Sequence, residues 1–153
     1  MPRNLRVCLA ASAGGHISEL LQLESCWRGR DCFFVTTSRV VEGQLTRFGR
    51  VYTVPESNRQ HPVRVLGTLV GCLKIVFAER PAVVLSTGAA VGCLMALLGK
   101  LAGARIIWID SIANVERLSL SGRLVRPFAD LILTQWPEVA QQYDGVEYAG
   151  HVL

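Results

Sequence analysis

The chain holds no C-x-x-C pair, and its five cysteines (Cys8, Cys26, Cys32, Cys72 and Cys93) are odd in number and scattered. This pattern excludes a disulfide framework or a zinc ribbon and leaves the cysteines as small buried hydrophobes. No run of about 20 uncharged apolar residues occurs, so a simple membrane-spanning helix is not expected. Met1-Pro2-Arg3-Asn4 leads straight into an apolar run, and no signal peptide is expected. Aromatic residues are only 7% of the chain and do not alternate with basic ones as on an RNA-binding sheet, so nucleic acid is not an expected partner. Charged residues are 18% against 50% hydrophobic, which excludes disorder, and the net charge of +4 suits an acidic ligand or an anionic membrane surface. No acidic pair is placed for metal binding, and neither a metal nor a cofactor is expected.

Three chemical signatures are also missing. A dinucleotide fingerprint would read G-x-G-x-x-G with an acid about 20 positions later. Here the turn is Ser12-Ala13-Gly14-Gly15-His16, and the second apolar run ends in Thr36-Thr37-Ser38. There is no P-loop lysine. Neither Ser12 nor Ser86 stands in the G-x-S-x-G context of a hydrolase nucleophile.

What is present is a glycine junction. Leu5–Ala11 has strand length and composition, Gly14-Gly15 makes a turn, and His16–Trp27 carries Ile17, Leu20, Leu21 and Leu23 at helical spacing. The first amides of a helix lack intrahelical partners and carry the positive end of its dipole, so such a junction suits a phosphate. His16 stands at its mouth as a candidate base or hydrogen-bond partner. The same letters also read as a plain turn with a capping histidine.

Further along, strands are expected at Cys32–Thr36, Val51–Val54, Ala82–Ser86, Arg105–Ile109 and Ala129–Thr134, making six in all. Helices are expected at Ser38–Phe48, Val63–Glu79, Ala89–Leu101 and from Ser119 to Phe128. The polar loop Pro55–Pro62 is a candidate cleft wall, in which His61 reads mainly as solvated. In Val63–Glu79, Leu66, Leu69, Val70, Leu73, Val76 and Phe77 share a broad apolar face beside Arg64 and Lys74. That helix reads equally as a core helix with snorkelling basic residues or as one lying in a membrane interface. Ser86-Thr87-Gly88 before Ala89 forms a second strand–glycine–helix junction. The alternation predicts an α/β, doubly wound, mostly parallel Rossmann-like sheet, one domain over residues 1–153, with its site at the carboxyl ends of the strands. Gly14–His16, Ser86–Gly88 and Asp110–Asn114 converge on that edge.

Three motifs then bring in a family. Gly14-Gly15-His16-Ile17-Ser18-Glu19-Leu20 is similar to G-G-H-x-x-E-[ML]. Asp110-Ser111-Ile112-Ala113-Asn114-Val115, continuing through Leu118-Ser119-Leu120-Ser121-Gly122-Arg123-Leu124, resembles E-S-x-x-R-V-x-x-L-S-x-[ST]-G-[KR]-L. Ala129-Asp130 to Gln135-Trp136-Pro137-Glu138 resembles a-D-x-x-x-x-Q-W-P-E. In this order they cover most of the chain. They resemble the acceptor-side, membrane-associated subunit of the two-chain N-acetylglucosaminyltransferase that adds the second sugar of dolichol-linked oligosaccharide. Bacterial capsule and exopolysaccharide counterparts share the pattern. Asp110 stands where the family usually has Glu, and Asn114 where it usually has Arg.

The resemblance implies a single GT-B half-domain whose glycine turns face a polyprenyl-diphosphate sugar acceptor. It implies His16 as catalytic or orienting residue, and Gly14, Gly15, Glu19, Ser86, Thr87, Gly88, Asp110 and Asn114 as substrate-binding residues. A GT-B site lies between two Rossmann-like domains, so a donor-binding partner chain holding a UDP-sugar is expected. The expected location is peripheral, on the cytoplasmic face of a membrane. Two other readings stay open: a non-catalytic membrane anchor for the partner, and a free-standing nucleotide-binding α/β domain.

Overall fold

The computed structural model describes residues 5–57 and 60–152. Met1–Asn4, Asn58 and Arg59 in the middle of the polar loop, and Leu153 lie outside the described residues. Among the described residues one sheet is formed by Val7–Ala10 (β1), Cys32–Thr36 (β2), Arg50–Thr53 (β3), Val83–Ser86 (β4), Arg105–Ile109 (β5), Leu131–Thr134 (β6) and Val146–Tyr148 (β7). The order is β3-β2-β1-β4-β5-β6-β7, and every pair is parallel. The chain therefore runs outward from β1 to β3, returns to β4 on β1's other side and proceeds to β7. The topological switch point falls between β1 and β4, where open α/β sheets bind ligands.

Strands buried on both faces read as continuous apolar runs, which is why they were legible. Tail residues 146–148 lack such a run: Val146 is buried, Glu147 and Tyr148 are exposed. They nonetheless pair with β6, so the expected six strands become seven.

The helices are Gly15–Gln22 (α1), Glu24–Trp27 (α2), Glu42–Leu45 (α3), Pro62–Glu79 (α4), Ala89–Leu101 (α5), Leu120–Val125 (α6) and Pro137–Ala140 (α7). The expected helix His16–Trp27 breaks at Leu23, whose amide turns back to the Leu20 carbonyl at 3.1 Å. The expected helix Ser38–Phe48 is a 3-10 turn at Arg39–Val41, capped by the Ser38 hydroxyl, followed by the short α3. The helix expected to reach Phe128 ends at Val125. Four of the five cysteines are buried as expected, but Cys26 is exposed on the outer side of α2.

α5 packs between α4 and α6 on one face of the sheet. There Phe33, Val84, Met95, Ile106 and Trp108 form the larger core. The other face buries Leu9, Ile17, Leu20, Trp27 and Phe34 beneath α1, α2 and α3. α4 departs from the expected single apolar face. Thr68, Cys72, Ile75, Val76 and Glu79 face the core, whereas Leu66, Val70, Leu73 and Phe77 are exposed and Leu69 is half-buried.

α4 is fastened at its end by charge. Arg80 adopts the left-handed conformation that stops the helix. The buried Glu79 carboxylate accepts from Arg50 Nε at 2.8 Å and Nη2 at 2.9 Å, and from the Tyr52 hydroxyl. Arg6 donates to the Glu79 carbonyl at 2.9 Å and to Asp31 at 2.9 Å, tying α4 to the lower ends of β1, β2 and β3. Burial alone raises the Glu79 pKa, but the Arg50 and Tyr52 hydrogen bonds, with the Arg50 and Arg6 charges, overcome it and hold it below the usual value.

A carboxylate with a depressed folded-state pKa stabilises the fold above its unfolded pKa of about 4.3 and loses that contribution as pH falls further. Removing one member of a buried pair costs about 3–5 kcal/mol, and the half-exposed Arg50 places this pair below that range. Glu79→Gln is therefore expected to lower stability at neutral pH by about 2 kcal/mol. In urea titrations the variant should also show a shallower loss of stability between about pH 5 and pH 3 than the parent.

Candidate functional site

The two glycine junctions lie side by side because β1 and β4 are neighbours. Gly14 precedes α1 with φ 92°, and Gly88 precedes α5 with φ 138°, both in the region that L side chains rarely adopt. Neither helix has a side-chain cap. The first amide that α1 pairs is Ser18, which donates to the Gly14 carbonyl at 3.1 Å. Helix geometry leaves the amides of residues 15–17 without an intrahelical acceptor. A Cβ added at Gly14 or Gly15 would meet nothing within 4 Å, so the space over this helix end is open. Ala89, the first residue of α5, has φ 68°, an uncommon value for a residue with a Cβ.

The junctions are hydrogen-bonded to each other reciprocally. Thr87 Oγ1 donates to the His16 carbonyl at 2.6 Å, and His16 Nδ1 lies 3.1 Å from the Thr87 carbonyl. A carbonyl only accepts, so Nδ1 carries the proton, and in the neutral ring the lone pair is at Nε2. The imidazole lies against Gly88: a Cβ there would stand 2.7 Å from His16 Cε1 and Nδ1. Below them Ser86 Oγ accepts from the Gly88 amide at 3.2 Å, and a Cβ at Gly92 would stand 2.0 Å from that hydroxyl.

A cleft of about 650 Å³ opens over these junctions. Its polar lining residues are Ser57, whose hydroxyl is buried with no partner among the described residues, His16, Ser111, Asn114, Ser119 and Ser121. Three helices add hydrocarbon, chiefly Val65 of α4, Leu94 of α5, and Leu120 and Leu124 of α6, the last two beside Ser119 and Ser121. Cys93 of α5 adds a thiol whose pKa is pushed up by burial, against a weaker opposing hydrogen bond from Ser121.

The loop 110–119 after β5 is held by two buried carboxylates. Asp110 accepts from Trp108 Nε1 at 3.0 Å, from the Ser119 hydroxyl at 2.6 Å and from the Ser119 amide at 2.8 Å. Ser119 in turn caps α6 by accepting from the Gly122 amide at 2.9 Å. Glu19, reaching across from α1, accepts from the Ser111 hydroxyl at 2.9 Å and the Ile112 amide at 3.1 Å. Its second oxygen is buried with no hydrogen-bond partner among the described residues. Gln135 donates to the Asp110 carbonyl at 3.1 Å and accepts from the Val152 amide at 2.8 Å, while Trp136 donates to the Ile112 carbonyl at 2.7 Å. The same loop is thereby tied to the C-terminal segment.

Of the residues singled out from sequence, Gly15, His16 and Asn114 stand on the cleft wall. Gly14 caps α1 at its edge. Glu19, Ser86, Thr87, Gly88 and Asp110 lie in the layer beneath, where their polar groups bond to protein. His61, at the start of α4, is exposed. The hydrocarbon wall was missed, since its residues look like ordinary helix interior. Ser119 was recognisable as a cap from Ser119-x-x-Gly122 before an apolar run. Among the described residues no group of three His, Cys, Asp or Glu side chains is placed to hold a metal ion.

A seven-stranded parallel Rossmann-like sheet with paired glycine helix ends at its switch point has the fold of one half of a GT-B protein. Acinetobacter baumannii MurG superposes with TM-score 0.76 at 14% identity over 95% of this chain and 45% of that one. The UDP-N-acetylglucosamine 2-epimerase of Rickettsia bellii superposes with TM-score 0.73 at 13% identity, over 98% and 46%. More specifically, residues 34–152 match the family model "Oligosaccharide biosynthesis protein Alg14 like", and the chain belongs to that family. The UDP-N-acetylglucosamine transferase subunit alg14 of Schizosaccharomyces pombe is 32% identical over 73% of this chain and 57% of its own length. The human subunit ALG14 is 24% identical over 98% and 84%. The chain spans about half the length of several of the curated relatives it matches.

Gly88→Ala combines an unfavourable φ with a clash against the imidazole. It is expected to cost about 1–3 kcal/mol and to shift the His16 ring resonances in an NMR spectrum. Gly103→Ala is the control: φ is 93° there, and a Cβ meets nothing within 4 Å. It should show the backbone cost alone, with the His16 resonances in place.

Proposed function

We propose that this chain is the acceptor-binding half of a two-chain N-acetylglucosaminyltransferase. It holds a polyprenyl-diphosphate-linked sugar while a partner chain holds the UDP-sugar donor. The observation that carries the reading is the His16–Thr87 bond between two uncapped helix ends beside an open cleft. Family membership and the names of the relatives support it.

The free amides at the start of α1, with the start of α5 beside them, hold the diphosphate. An acceptor hydroxyl then attacks the anomeric carbon of the donor sugar. The new C–O bond forms as the bond from that carbon to UDP breaks, and UDP leaves with the electron pair. The hydroxyl proton passes to His16 Nε2, the nitrogen freed by the Nδ1–Thr87 bond. Asn114 and Ser111 orient the sugar from the loop that Glu19 and Asp110 support.

A GT-B active site lies between two halves, so the donor half comes from the partner. The cleft rim and the C-terminal segment tied to it by Gln135 and Trp136 form the docking face. Among the described residues no helix is long and apolar enough to cross a membrane. The exposed stripe of α4 rests on the cytoplasmic leaflet, with Arg64 and Lys74 toward anionic headgroups.

Transfer from UDP-N-acetylglucosamine to a polyprenyl-diphosphate sugar, measured with this chain and a donor-binding partner purified together, tests the assignment. Activity is expected only with both chains, and His16→Ala should lower it by about 10²–10⁴-fold. Full activity in that variant would remove His16 from the chemistry.

Flotation with anionic vesicles tests the membrane face. Leu73→Glu with Phe77→Glu should abolish binding, and Arg64→Gln with Lys74→Gln should weaken it by roughly 10-fold. Binding that survives both pairs would assign the stripe to another role.

A further inference from the structure

Under the proposed function, the donor and the acceptor are both sugar diphosphates. They differ in what the far phosphate carries: a nucleoside in one, a polyprenyl chain in the other. Free helix amides and a histidine recognise the feature the two share, so they do not tell the substrates apart. Some other part of the cleft has to do so.

The cleft is one continuous space, and its lining includes hydrocarbon from three helices with Ser57, Ser119 and Ser121 among it. Val65, Leu94, Leu120 and Leu124 supply it from three helices, with Cys93 between them as a thiol held neutral by burial. This wall offers little to a uracil or ribose, which need hydrogen-bond partners, and no aromatic face stands among its residues. It suits branched hydrocarbon. Leu120 and Leu124 are 39% and 51% exposed, so the wall runs out to the molecular surface. α4 contributes Val65 to the wall and, one residue on, Leu66 to its exposed stripe. A chain leaving the diphosphate along this wall meets the exposed Leu120 and Leu124 side chains as it passes out of the cleft.

We infer that the wall formed by Val65, Cys93, Leu94, Leu120 and Leu124 is a subsite for the first isoprenoid units of the acceptor. Through it this chain selects a lipid-linked sugar diphosphate over the nucleotide-linked donor. The inference rests on the acceptor-half reading and adds the discriminating element to it. Donor sugar nucleotide is thereby kept off the amides that the acceptor needs.

Calorimetric binding to this full chain, without vesicles, tests it with three water-soluble probes. These are citronellyl-diphospho-N-acetylglucosamine with two isoprenoid units, its methyl-diphospho counterpart, and UDP-N-acetylglucosamine. The citronellyl compound is expected to bind at least about 10-fold more tightly than either of the others. Leu94→Asn and, separately, Leu124→Asn should close that gap. Leu124 is half exposed, so its variant keeps the test available if Leu94→Asn fails to fold. Equal binding of the citronellyl and methyl compounds, or a gap that survives both substitutions, would overturn the subsite and leave the acceptor-half reading standing. UDP-N-acetylglucosamine binding as tightly as the citronellyl compound would overturn the selectivity. If none of the three binds, the acceptor-half reading falls and the subsite with it.

Discussion

His16 and Thr87 are 71 positions apart, yet each bonds to the other's backbone, and the geometry of the cleft follows from that exchange. β1 and β4 are adjacent only because the chain reverses its direction of growth after β3. At that reversal two helices begin side by side, each after a glycine with positive φ. The Thr87 hydroxyl fixes the backbone of the α1 junction, and the Thr87 carbonyl fixes the imidazole. Gly88 leaves room for the ring, and Ser86 and Gly92 leave room for the turn beneath it. Each small residue in this stack is set by a close approach, so the stack tolerates little enlargement.

The two carboxylates near the site differ in how fully the protein uses them. Asp110 uses both oxygens on Trp108 and Ser119, whereas Glu19 bonds to Ser111 and Ile112 through one oxygen and keeps the other buried with no partner among the described residues. Buried carboxylates that accept several hydrogen bonds fix loops well, because losing any one bond leaves a costly unpaired group. The loop 110–119 thus presents Ser111 and Asn114 to the cleft from a braced frame. The short Asp110 side chain fits this clasp, since a Cβ on Gly122 would already stand 2.8 Å from its Oδ1. Asp110 therefore lies in the frame beneath the cleft, whereas Asn114 stands on its wall.

α4 is apolar on two sides for two different reasons. Thr68, Cys72, Ile75 and Val76 close the core, and the Glu79–Arg50–Tyr52 cluster anchors the helix end. Leu66, Val70, Leu73 and Phe77 repeat at helical spacing on the outside, where the core makes no use of them. The cleft's hydrocarbon wall begins on this same helix, at Val65. α4 therefore contributes both to an apolar exterior and to the lining of the cleft.

Much of this was legible in sequence. Both-face burial made β1, β2, β4 and β5 readable as apolar runs, and local steric demands marked Gly14 and Gly88 as junctions. Three motifs in order carried the family. What was illegible depended on contacts between distant segments. Residues 146–148 form a strand only because the β6 edge is there to pair with. Helical periodicity placed Leu66 and Val76 on one broad face of α4, and only packing against α5 and the sheet divided core from surface. The surroundings of Glu19 and Asp110 were equally illegible, because the fold decides which donors come within about 3 Å of a carboxylate, and here it brings Ser111, Ile112, Trp108 and Ser119. The sequence by itself determined the elements, their order and the glycine turns, since these rest on local backbone sterics and hydrophobic period. The tertiary structure alone decided which nitrogen of His16 is free and which residues wall the cleft, because both are set by neighbours far away in the chain.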